Sequence, residues 1–160
     1  MRSRTIGSQR TRIAPVLSVS CLTISRTGRT GTALQTPEQA RAAAVELLLK
    51  TEAAVDLPWP ETSEPSAEKC PGGVRFGYFV PVRTETDARP VAQTFQRLWK
   101  SEGLTVEPSQ KDFGGDGGIL YSATADADGA AGAAYQVNAT SVVVRITSPC
   151  ASGSVDDYDE

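Results

Sequence analysis

Ala40, Ala44, Leu47, Leu48, Thr51 and Val55 recur at the 3–4 residue spacing of one helix face, with Arg41, Glu46, Lys50 and Glu52 on the other side. Thr36-Pro37-Glu38-Gln39 supplies a start for that helix: a capping hydroxyl, a proline in the first turn, and a glutamine placed to complete a capping box. The helix runs about five turns and ends before Pro58. Leu57 to Cys70, with Pro58, Pro60 and Pro65, reads as a loop. Val74, Phe76, Tyr78 and Val80 then alternate as a strand with one buried face, closed by Pro81. A second helix is predicted from Ala88 to Glu102, with Val91, Phe95, Leu98 and Trp99 as its apolar stripe and Gly103 as its C-cap.

Short strands follow at Leu104 to Glu107 and Ile119 to Ala125, separated by the glycine-rich turn Ser109 to Gly118. After a turn at Asp126 to Gly129, Ala133 to Val137 and Val142 to Thr147 form a hairpin around Asn138-Ala139-Thr140-Ser141. The fold class expected is α+β, with two helices packed on a mainly antiparallel sheet of about five strands in a two-layer sandwich.

The N-terminal region has a different pattern. Residues 1–24 form a basic leader: an arginine-rich head followed by the modest apolar stretch Ile13 to Ile24, which has the length of a signal-peptide core and is too short to cross a bilayer as a helix. Residues 25–35 read as a flexible tether, 36–150 as a single domain, and 151–160 as an acidic disordered tail. Charge follows the same division. Six arginines precede the first acid, Glu38, so residues 36–160 hold 10 basic against 19 acidic side chains, a net of −9. Such a domain repels phosphate backbones, and no nucleic-acid partner is expected. Histidine is absent from the whole chain, which removes the usual neutral-pH base and the commonest zinc ligand.

The three cysteines connect pattern to compartment. Cys70 precedes the first predicted strand and Cys150 follows the last. If the first strand points up, the helical crossover returns the next one up, and the remaining strands alternate down, up and down once a hairpin turns near Asn138. The two cysteines then share one edge of the sheet, as a bridge requires. A bridge there would stabilise the fold by roughly 4–5 kcal/mol in the chain-entropy description and would call for an oxidising compartment. The alternative is two buried thiols. Cys21, near the end of the leader, is the candidate for lipidation.

Motifs for chemistry are weak. Gly114-Gly115-Asp116-Gly117-Gly118 lacks the lysine and helix of a phosphate loop. Asp126-Ala127-Asp128-Gly129 resembles part of a calcium loop, but the alignment puts Thr124 and Tyr135 where acids belong. No catalytic, cofactor-binding or metal-binding residues are assigned, and no cofactor is expected. Trp99 belongs to a core stripe. Trp59, between prolines in a loop, either covers the core edge or marks a binding surface.

These features together resemble small lipoproteins of actinobacteria, of the mycobacterial Lpp type: the leader with its cysteine, the Thr-Pro-Glu-Gln helix, the proline/tryptophan loop, the Leu98-Trp99 helix ending at Gly103, and the close on Thr147-Ser148-Pro149-Cys150. The resemblance covers about Thr36 to Cys150 and, in part, the leader; Ser18 stands where the lipoprotein pattern has leucine. It implies an extracytoplasmic location, as a membrane lipoprotein or a secreted protein. The function expected is that of a noncatalytic binding domain for a protein or envelope component, reaching the membrane through the lipid anchor. An exported hydrolase and a cytosolic protein with a disordered basic head are the competing classes.

Overall fold

A computed structural model of the chain describes residues 34–61 and 64–158. Two helices and six strands follow in the order α1 (Pro37–Ala53), β1 (Ser66–Cys70), β2 (Gly73–Arg83), α2 (Ala88–Ser101), β3 (Thr105–Asp112), β4 (Ile119–Asp126), β5 (Gly132–Asn138) and β6 (Ser141–Thr147). The strands form one antiparallel sheet ordered β1-β2-β6-β5-β4-β3. Both helices cover the same face. α1 lies against β2 and β6, and α2 against β3, β4 and β5.

The expected α+β architecture is present, with six strands rather than about five. The added strand is β1, which the sequence reading places in a loop. Ser66-Ala67-Glu68-Lys69-Cys70 carries no alternation, and its strand conformation comes from pairing with β2 across the tight turn Pro71-Gly72, where Gly72 has a φ of 85°. β3 also runs further than expected, to Asp112. Its residues are almost all exposed, so no apolar pattern announces it.

Two prolines sit inside strands, each where no ladder bond is lost. Pro81 lies within β2 and does not end it. The backbone of Val74 and Phe76 points to the β6 side, so Pro81, of opposite parity, turns its nitrogen the other way. There β1 has already finished, at Ser66 opposite Gly77. Pro108 lies on β3, an edge strand. Phe113 N–H bonds to the Gly118 carbonyl, and this parity turns the Pro108 nitrogen away from β4. A missing donor in the middle of an exposed edge guards it against pairing with another chain.

One end of each helix follows its sequence cue, while α1 stops at Ala53 and leaves Val55 outside it. Thr36 and Gln39 make the reciprocal capping box. After α2, Gly103 at φ 85° and Leu104 bond back to Lys100 and Trp99, the pattern of a Schellman cap. The hairpin at Asn138 is also as expected: the Asn138 side-chain oxygen accepts from the backbone N–H groups of both Thr140 and Ser141.

The core lies between the helices and the sheet. Phe95, Trp99 and Tyr135 form an aromatic cluster with centroid distances of 5.6–5.9 Å. Residues 151–158 are not a loose tail in this fold. Ala151 is fully buried and bridges Val74 and Gln35, and Tyr158 packs edge-on against Phe76 at 5.1 Å. The Arg41 guanidinium lies 4.2 Å from the Phe76 ring centroid and 5.0 Å from that of Tyr158, so Arg41 is a packing residue and not part of a solvated helix face.

Candidate functional site

With both helices on one face, the opposite face of the sheet is left uncovered among the described residues. Strand alternation decides what it carries. On β2 the even positions, Val74 to Val82, face the helices, so Arg75, Gly77, Phe79, Pro81 and Arg83 face outward. On β6 the outward set includes Val143 and Arg145. All six strands contribute to a trough of about 660 Å³ on this face, within the size range of small-ligand sites.

The register arranges the trough in rows. One row runs Phe79, Arg145, Ala134, Thr124, Glu107 across β2, β6, β5, β4 and β3. The next runs Pro81, Val143, Gln136, Ser122, Ser109. Small and hydroxyl-bearing residues therefore floor the middle. Phe79, 58% exposed, stands as a large apolar side chain at one side.

Charge is concentrated beside Phe79. The Glu68 carboxylate on β1 accepts from Arg75 Nε at 3.2 Å and, through its other oxygen, from the Arg145 guanidinium. To reach Arg145 on β6, Glu68 passes over β2 at Gly77. A Cβ at Gly77 would stand 2.7 Å from Glu68 Oε1, so the glycine is what leaves room for this crossing. One carboxylate set between two guanidiniums leaves a net charge of +1, and Arg145 is the member of the trio that lines the trough beside Glu68. Glu107 carries the opposite charge at the β3 side. Among the described residues, no serine hydroxyl is hydrogen-bonded to a lysine or to a carboxylate in the trough.

The sequence-derived candidates lie elsewhere. Cys70 and Cys150 form a disulfide with Cα atoms 6.0 Å apart. Trp59 is half-buried: its ring packs 6.4 Å from Phe95, and its indole N–H donates to the carbonyls of Glu52 and Val55, serving the C-terminal end of α1. Its polar atom is thus engaged in the helix end, on the face opposite the trough. Trp99 is fully buried and donates to Thr51 Oγ1. Gly114 to Gly118 is a β3–β4 hairpin loop with a 3₁₀ turn, fixed where Asp112 accepts from Gly114 N–H. Tyr135 belongs to the core and meets Gln96, which removes it from any calcium loop at Asp126 to Gly129. Cys21 lies outside the described residues.

The trough residues Glu68, Phe79, Glu107 and Arg145 are not among those candidates. Two signals for them exist in the sequence: Phe79 is a large apolar residue at the polar parity of its strand, and Arg145 interrupts the run Val142 to Ile146. Their juxtaposition depends on strand order, which no local pattern carries. No described helix is long and apolar enough to cross a membrane. Comparison with protein-family models, with curated proteins and with solved structures finds no match.

Proposed function

We propose that this protein is an exported, noncatalytic binding domain, held at the outer side of the membrane through Cys21, whose ligand seats on the uncovered sheet face. The observation that carries the reading is the trough itself, floored by small and hydroxyl-bearing side chains and bordered by the exposed Phe79 and the Glu68–Arg145 pair. An uncovered apolar side chain beside organised polar groups suits recognition. The Cys70–Cys150 bridge supports an oxidising compartment, and the basic leader ahead of Cys21 supports export.

A fragment screen by amide chemical-shift mapping on the disulfide-bonded protein tests the binding face. Hits are expected to shift residues of β2, β6 and β5 around Phe79, and Phe79→Ser is expected to weaken them at least fivefold. Hits confined to the helical face or to Trp59 overturn the assignment. Palmitate labelling in the native host, lost on Cys21→Ser, tests the tether.

A further inference from the structure

The charges of the trough restrict what it holds. We propose that the trough takes the carboxy-terminal end of an extended peptide, with the terminal carboxylate on Arg145, an apolar last side chain against Phe79, and a basic side chain three residues upstream at Glu107. The inference rests on the preceding reading that the uncovered face is the binding surface.

Three observations lead to it. The first is an uncompensated cation. Glu68 is shared between Arg75 and Arg145, and among the described residues no second acceptor engages the Arg145 guanidinium. That group carries five N–H donors in a planar fork suited to a carboxylate. Its side chain is 47% exposed, while that of Glu68 is 24% exposed, so the guanidinium remains the more open partner.

The second observation is polarity along a row. Arg145 and Glu107 end the segment Arg145, Ala134, Thr124, Glu107, which crosses three strand intervals. At the usual strand separation this is about 14 Å. Three extended residue steps cover roughly 10 Å, and a lysine side chain spans the remainder. The other cation on this part of the face, Lys111, is four positions from Glu107 and sits 4.9 Å from the Phe113 ring, toward the β3–β4 loop. It does not neutralise Glu107 at the row.

The third is the floor. Ala134 and Thr124 are small enough for a peptide backbone to approach. Gln136, Ser122 and Ser109, in the adjoining row, offer partners for its amide groups. A peptide needs such partners along its length. An alkyl chain with a carboxylate does not, and it would leave them uncovered by polar groups. The floor therefore favours the peptide over a fatty acid.

The experiment titrates the full-length, disulfide-bonded protein with the peptide pool acetyl-Lys-Xaa-Xaa-Phe bearing a free carboxylate, with the same pool amidated at its C-terminus, and with decanoate. Amide shifts report the location and the affinity. The free-acid pool is expected to shift Phe79, Arg145 and Thr124 saturably, and amidation or Arg145→Gln to weaken it tenfold or more. Glu107→Gln is expected to weaken it severalfold. Glu68→Gln is expected to tighten it about threefold, because the competing charge is removed while an acceptor for the guanidiniums is kept. A Glu68 that only held the fold together would not give that sign.

Equal affinity for acid and amide, or weaker binding by Glu68→Gln, overturns the carboxylate assignment. Shifts that still map to the trough would then leave the binding face standing. Decanoate binding in the trough without peptide binding overturns the peptide and also keeps the face. No trough shift with any of the three probes overturns both readings.

Discussion

At the scale of single residues, periodicity and packing disagree at Arg41 and Glu52. Both fall on the face of α1 that the spacing assigns to solvent. Arg41 instead lies over Phe76 and Tyr158, which reach it from β2 and from the C-terminal segment. Glu52 is half-buried with Oε1 unpartnered, and burial raises its carboxyl pKa above the usual carboxylate range. Between the ordinary carboxylate value and that raised value, the folded state binds more protons than the unfolded one. Stability therefore falls as pH rises through this window. Glu38 acts in the opposite sense: a backbone hydrogen bond, joined by the Thr36 hydroxyl, lowers its pKa, and the stability it contributes is lost as pH falls. A variant-minus-wild-type difference isolates Glu52. Glu52→Gln is expected to be more stable than wild type at pH 7 by about 0.5–1 kcal/mol, the gain shrinking toward pH 4, in urea denaturation at the two pH values. A gain independent of pH would show that burial of the charge is not its cause.

At the scale of elements, the two helices meet through a buried polar chain. Trp99 Nε1 donates to Thr51 Oγ1 at 3.0 Å, and that hydroxyl donates to the Leu47 carbonyl at 2.7 Å. Thr51 and Trp99 are both fully buried. Thr51→Val keeps the shape and leaves the indole N–H without an acceptor, at a cost of about 1–3 kcal/mol. Thr51→Ser, which keeps the hydroxyl, is expected to lose less. Equilibrium denaturation with an unchanged m-value measures both, and equal losses would place the effect in packing instead.

The helices themselves were legible because each one carries an apolar stripe and a signal at one end: Thr36 and Gln39 start α1, and Gly103 stops α2. The edge strands were not. β1 and β3 have no buried row of their own, so their conformation is supplied by β2 and β4 through the ladder. Pro81 was misleading for a related reason. Whether a proline ends a strand depends on whether a neighbour needs its N–H, and that neighbour is a tertiary fact.

At the scale of the molecule, the Cys70–Cys150 bridge closes a separation of 80 residues and ties the end of β1 to the segment leaving β6. In the chain-entropy description, a loop of that length contributes about 4.5 kcal/mol. The Cys70→Ala/Cys150→Ala double variant is expected to lose stability of that order, measured by denaturant unfolding, and the oxidised protein is expected to lose a similar amount on reduction. A loss below about 1 kcal/mol would mean that pairing of Ala151 with Val74 and packing of Tyr158 on Phe76 hold that edge without the bond.

The amino-acid sequence by itself determined the helices, the alternating strands, the Asn138 turn, the common edge of the two cysteines and the acidic character of the domain. Each of these follows from local periodicity, capping chemistry or chain direction. Only the tertiary structure decided the lateral strand order β1-β2-β6-β5-β4-β3, and so which side chains meet in the trough on the face opposite the helices. Glu68, Arg145 and Glu107 share that face because ladder register, a long-range property, sets distant strands side by side.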